Sequence, residues 1–272
     1  LRPSPHFQEV QQRLKETDEA VFVMRLKGTP PFGGITDISP AVQRAAVGGM
    51  LNTRELLDTA NTLHGGRLLK QFLSGIHTEH EIPSLHVYFS QIAEHREVEQ
   101  KINSCISEQG EIVDHASPEL ARIRQALRAG EGQIRDRLEQ MIRTPSVQKM
   151  LQEQLITIRN DRFVIPVKQE YRSHFGGIIH DQSASGATLF IEPESVVQLN
   201  NKLRELKLKE EKEIEKILRE LSGLVGAIAD SLKNNLQMLA ELDFIFAKAG
   251  LAYAMKATLP RINERGRIKL KQ

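Results

Sequence analysis

The sequence predicts a mainly α protein in which a small β-rich module is inserted at the tip of two long antiparallel helices. Three observations carry that expectation. Residues 117–144 and the stretch after 193 repeat apolar side chains at helical spacing. Between them, residues 156–192 (ITIRNDRFVIPVKQEYRSHFGGIIHDQSASGATLFIE) alternate apolar and polar residues and are punctuated by glycine and Asn-Asp. Aromatic residues make up only 5% of the 272 positions and tryptophan is absent, which suits helices with narrow apolar seams better than one thick core.

Before the long arms, a first helix is expected from Pro5 to Lys27, then a breaker cluster at 28–34 (GTPPFGG). A short helix with Pro40 near its start follows over Asp37 to Val47, and Thr53 is the expected cap of the next. Residues 83–107 read as mostly helical, and Ile112-Val113 as briefly extended.

The first arm opens clearly: Ser117 suits the N-cap, Pro118 the first helical turn, and Glu119 the positive end of the helix dipole. Apolar residues at 120, 123, 127, 134, 138 and 141 form a stripe for one partner helix. At 1.5 Å per residue the arm to Thr144 is about 40 Å long. Gly130 and Gly132 inside it predict a bend or a close backbone contact, and Pro145 a break. The return arm is expected from Pro193. Leu199, Leu203, Leu206, Ile214, Ile217, Leu221, Leu224 and Ile228 form its seam, and the helix continues to Ala257. Its outer face, KLKEEKEIEK, alternates sign and reads as a solvated surface.

In the β module, Ile156 and Ile158 pair with Phe163, Ile165 and Val167 across an Asn160-Asp161 turn, and 176–179 and 187–191 supply two more strands. Pro166 cannot donate a ladder hydrogen bond, so an edge or bulged position is expected for it. Arg159, Arg162, Lys168 and Arg172 are balanced by Asp161, Glu170, Asp181 and Glu192, so the module is electrically neutral. The whole chain, at +2, is nearly neutral as well. Any phosphate contact must therefore come from chosen cations, backbone N–H groups and the Ser183–Gly186 loop.

Catalytic signatures are missing. There is no G-x-x-x-x-G-K-[ST] loop, and Ser183 and Ser185 lack a nucleophile elbow. His77, His80 and His86 stand without the Cys or HExxH context of a zinc site, so metal and catalytic residues are both expected to be none. His64 has no charged partner nearby in sequence. The lone Cys105 excludes an internal disulfide and fits a reducing cytoplasm. No run of about 18 apolar residues predicts a membrane span.

IRNDRFVIPVKQEY at 158–171, FGGIIHDQSASGATLFIEP at 175–193 and VVQLNN at 196–201 strongly resemble the second-type bacterial MutS family. PPFGGITDI at 30–38, HASPELARIR at 115–124, ELDFIFAKA at 241–249 and the final RIKLKQ extend the resemblance over nearly the whole chain. The resemblance implies a helical core at 1–116, an ascending lever at 117–155, a β-rich clamp at 156–192, a descending lever and return to the core at 193–259, and the start of an ATPase domain at 260–272. The segment itself is then not an enzyme. The full-length protein is expected to be a homodimeric ATPase using ATP and Mg2+, with an Smr nuclease domain. Such a protein binds branched DNA and suppresses homologous recombination. Two other readings stand beside this: a ribosome- or rRNA-binding module of a factor that rescues stalled or collided ribosomes, and a coiled-coil adaptor that touches no nucleic acid. The candidate nucleic-acid contacts are Arg159, Arg162, Lys168, Arg172, Ser183, Ser185 and Gly186.

Overall fold

The computed structural model describes residues 4–77, 81–267 and 269. His80 and most of the terminal RIKLKQ stretch lie outside them. The chain is mainly helical with one small antiparallel sheet, and it divides into two units, residues 1–111 with 218–272 and residues 112–217.

The first unit holds α1 (Phe7–Lys27), α2 (Ser39–Ala46), α3 (Thr53–His77), α4 (Pro83–Phe89), α5 (Arg96–Cys105) and α9 (Ala229–Ala254). Leu69, Leu73 and Ile76 of α3, Leu85 and Phe89 of α4, Val23 of α1 and Leu242, Ile245 and Phe246 of α9 share one core. The expected start of α1 moves from Pro5 to Phe7. Helix α3 is capped by Asn52, not Thr53. The Asn52 carboxamide oxygen accepts from Glu55 N at 2.9 Å, and the Glu55 carboxylate accepts from Asn52 N at 3.0 Å. That reciprocal pair is a capping box.

The 30–38 loop lies directly across α3. A Cβ on Gly65 would meet Ile35 at 2.7 Å and the Gly33 carbonyl at 2.9 Å, so only glycine allows this approach. The expectation that His64 has no charged partner nearby in sequence is corrected: its Nδ1 lies 2.8 Å from Arg67, three residues on, and 2.8 Å from Glu99, thirty-five residues on, which itself binds Arg67 at 2.9 Å. Burial pushes the Glu99 carboxyl up, but the hydrogen bonds from Arg67 and His64 more than offset it and hold it below the ordinary range.

The second unit holds α6 (Pro118–Ile142), α7 (Pro145–Gln148), β1 (Thr157–Arg159), β2 (Arg162–Lys168), β3 (Gly177–Gln182), β4 (Thr188–Pro193) and most of α8 (Glu194–Ala227), whose last residues belong to the first unit. Ser117 caps α6 as expected, accepting from Leu120 N at 3.0 Å while donating to Glu213 of α8 at 2.8 Å. Arg124 then ties α6 to the Ile112 carbonyl (2.7 Å), Asp114 (2.8 Å) and Glu210 (2.7 Å). The buried stripe of α6 is Leu120, Ile123, Leu127, Ile134, Leu138 and Ile142; Ile142 takes the last place that periodicity gave to Met141.

Other expectations are corrected. Helix α6 runs unbroken through Gly130 and Gly132; a Cβ on Gly130 would meet the Leu203 side chain at 3.4 Å, and one on Gly132 would meet nothing within 4 Å. Pro193 closes β4 instead of opening α8. The return helix does not continue to Ala257: α8 ends at Ala227, Ile228 leaves helical geometry (φ −108°, ψ 15°), and α9 ends at Ala254. Gly226 lies just before that break, where a Cβ would sit 2.5 Å from the Ala45 carbonyl. Leu224, assigned to the seam, is 39% exposed.

The sheet order is β1-β2-β4-β3, all antiparallel. Asn160 and Asp161 adopt φ of 49° and 58°, the left-handed pair of a two-residue hairpin. Phe163, Ile165 and Val167 of β2, with Leu189 and Ile191 of β4, face α6 and α8. Pro166 sits within β2, not on an edge strand. Its carbonyl accepts from Gln152 N at 2.9 Å, on the side away from β4, so the missing N–H falls outside the β2–β4 ladder. Asn200 of α8 binds both backbone groups of Phe163, accepting from its N and donating to its O, each at 3.2 Å. β1 does not reach those groups and β4 has ended in Pro193, so a side chain takes the place of a strand.

Two outcomes follow. Asn200→Ala strands a buried donor and acceptor and is expected to lower stability by about 2–4 kcal/mol, read in urea unfolding. Glu99→Gln is expected to cost about 3 kcal/mol at neutral pH by leaving Arg67 without its anion. Because the Glu99 carboxyl is depressed in the folded state, its contribution is present above the unfolded pKa and lost as pH falls through the folded one. The gap between wild type and Glu99→Gln in urea midpoint should therefore narrow on acidification below the ordinary carboxylate range.

Candidate nucleic-acid interface

The expected contact residues separate: Arg159 and Arg162 lie at the hairpin end of the sheet, Lys168 and the Ser183–Gly186 turn at the other, and Arg172 on the 3-10 segment that runs from β2 back to the start of β3. At the hairpin end, Arg159 and Arg162 face each other as the closing pair of the β1–β2 turn. Both are spent on the protein. The Arg159 guanidinium lies over the Phe190 ring at 4.2 Å, pairs with Asp181 at 3.2 Å, and donates to the Ile158 carbonyl at 2.9 Å. Arg162, with 13% of its side chain exposed, reaches Glu192 at 3.2 Å.

Glu192 is fully buried on β4, and its second oxygen takes His180 Nε2 at 2.5 Å. His180 is the extra residue of a β-bulge: Ile179 pairs with Ile191, and Asp181 already with Phe190. The bulge turns the His180 side chain onto Glu192. Asn160 donates to the His180 carbonyl at 2.9 Å. Since β1 is paired on the edge of β2 away from β4, these contacts draw the Arg159 and Asn160 side chains across the sheet face opposite the helices, while Asp161 reaches Lys207 of α8 at 3.8 Å. Val164, on that face, has no exposed surface.

At the other end lie Lys168, which pairs across from Thr188, and the β3–β4 turn. The turn is closed by Gly186 N donating to the Ser183 carbonyl at 2.8 Å, with Gly186 at φ 75°. Ser183 Oγ accepts from Thr188 N at 3.1 Å. Ser183 and Gly186 therefore hold the loop, and Ser185 is exposed, its hydroxyl 3.4 Å from that of Ser183. Lys168 Nζ donates to the Lys149 carbonyl at 3.1 Å and has no ion pair among the described residues. Arg172 is exposed in the 3-10 segment Gln169–His174 that leaves β2, and it has no anionic partner among the described residues.

One cation escaped the sequence reading. Lys149 precedes the alternating segment, so no strand pattern includes it. The Leu151–Val167 bridge brings its stretch of chain against β2, where Lys168 N donates to the Met150 carbonyl at 2.9 Å. Its side chain is exposed and has no ion pair among the described residues. Lys149, Lys168 and Arg172 are thus cations of this unit with no ion pair among the described residues; Ser185 is exposed as well, and so is the carboxylate of Glu170, on the same 3-10 segment as Arg172. No group of three metal-ligating side chains occurs among the described residues; His77 and His86 stack at 4.3 Å, and His80 lies outside those residues. Nor, among them, is any helix long and apolar enough to cross a membrane.

No protein-family model matches the chain. Curated relatives do, along its entire length. It is 54% identical over 273 positions to a protein of Geobacillus sp. strain WCH70 called endonuclease MutS2, 52% identical over 272 to that of Brevibacillus brevis strain 47, and 50% identical over 273 to that of Bacillus cereus strain Q1. In each case the match takes in 100% of this chain and 35% of the relative. The chain spans about a third of the length of these relatives, and over that third it belongs to the second-type MutS family.

Proposed function

We propose that this chain is the clamp and scaffold portion of a MutS-like ATPase that binds branched DNA and suppresses homologous recombination. The observation that carries the reading is the division of labour among the cations of the sheet. Those at the hairpin end are consumed by Glu192, Asp181 and Phe190, while Lys149, Lys168 and Arg172 have no ion pair among the described residues, Lys168 standing across from Thr188 next to a serine-glycine turn. Phosphate groups suit such a set: a few point charges and a hydroxyl. The word endonuclease in the relatives' name supports a nucleic acid over a protein partner. Chemistry belongs to other parts of the longer protein, with ATP and Mg2+ supplied there, and two copies closing on each other provide enclosure.

Reversing Lys149, Lys168 and Arg172 to glutamate in the longer protein should weaken four-way-junction binding at least tenfold, read by gel shift. The slope of log affinity against log salt should shrink by roughly 0.9 for each phosphate that is no longer neutralised. Loss of ribosome co-sedimentation in the same variant, with junction binding intact, would move the assignment to the ribosome. Arg162→Glu is expected to behave differently. It places a second carboxylate beside Glu192 and should lower the thermal midpoint of the protein before any binding is measured. A triple variant that binds junctions and ribosomes as wild type does contradicts a contact role for this end of the sheet.

A further inference from the structure

The first unit carries a groove that the clamp reading does not use. It encloses about 660 Å³ between the 32–39 loop and one face of α9. Phe32 and Ile35 form one wall. Leu236, Ala240 and Asp243 form the other, spaced i, i+4 and i+7 and hence stacked along a single helix face. The floor is apolar and the rim is acidic. Asp37 and Asp243 are exposed, and neither pairs with a cation among the described residues. Hydrogen bonds from the Ser39 side chain and backbone hold the Asp37 carboxyl below its usual range, so it carries its charge at neutral pH. The one cation in the lining, Lys233, is paired with Asp230 at 3.0 Å.

Nucleic acid is excluded from such a rim by like charge, and a strongly acidic peptide likewise. An apolar trough flanked by two unpaired carboxylates suits a short amphipathic peptide segment with leucine-like side chains beside lysine or arginine. We propose that this groove docks such a basic, amphipathic segment of a partner protein, separately from whatever the sheet binds.

The test uses two fluorescein-labelled peptides of equal length, one of leucine and lysine and one of leucine and glutamate, titrated by anisotropy into the longer protein. The Leu/Lys peptide should bind and the Leu/Glu peptide should not. Asp37→Asn with Asp243→Asn should weaken the Leu/Lys peptide by about tenfold, and Ala240→Trp should block it by filling the trough. Asp37→Lys with Asp243→Lys should transfer binding to the Leu/Glu peptide, a gain that misfolding cannot imitate. Equal binding of both peptides, survival of Leu/Lys binding in Ala240→Trp, or failure of the charge swap overturns the proposal. So does absence of any binding to the longer protein, because its own chain would then cover the groove. None of these outcomes depends on DNA or ribosome binding by the sheet.

Discussion

The architecture of the sheet depends on one buried carboxylate. A glutamate with no exposed surface is tolerated only if its charge is met by partners within reach. Glu192 has two, and each requires a particular backbone device. The left-handed Asn160-Asp161 turn brings β2 back with Arg162 aimed at β4. The bulge at His180 turns an imidazole off the β3 edge onto the other oxygen. Gly177 completes the arrangement. At φ 137°, a Cβ there would fall 2.0 Å from the Glu192 carbonyl, so the strand leading to the bulge reaches its place only as glycine. One acidic side chain thus sets a turn, a bulge and a close strand approach.

That constraint changes what the charge count means. Four cations and four anions sum to zero, which taken alone argues against a phosphate-binding surface. Much of the cancellation is internal: Arg162 answers Glu192, and Arg159 answers Asp181. What remains for a ligand is set by which cations are left over: Lys149 and Lys168 where the 149–151 stretch meets the end of β2, and Arg172 on the segment that follows, with Glu170 as the neighbouring exposed acid. On the proposed reading, so few charges would bind weakly per copy and gain from enclosure by two copies.

Local devices were legible in the sequence, and long-range ones were not. Ser117-Pro118-Glu119 named the start of α6, and the Asn160-Asp161 hairpin and the strand alternation named the sheet, because each is written in neighbouring residues. The Asn200 carboxamide reads as an ordinary helix-face residue until the Phe163 backbone arrives beside it, thirty-seven positions away in the chain. Arg159 and Arg162 read as free cations because Asp181 and Glu192 are brought to them only by strand order. Glu99 is equally remote from His64. The break at Ile228 was hidden because apolar spacing runs through it, whereas the close approach of Gly226 to Ala45 is a tertiary fact. Family resemblance supplied the expectation of a clamp, and geometry sorted the side chains of the module into those with partners inside the protein and those without.

Position-specific photo-crosslinking most directly tests whether the turn end of the sheet meets nucleic acid. A benzophenone side chain in place of Ser185, in the longer protein, should crosslink to a strand of a bound four-way junction, and the same group in place of Thr157 at the hairpin end should not. Crosslinks from Thr157 alone, or from neither position on saturated junction complexes, would contradict this assignment of the surface.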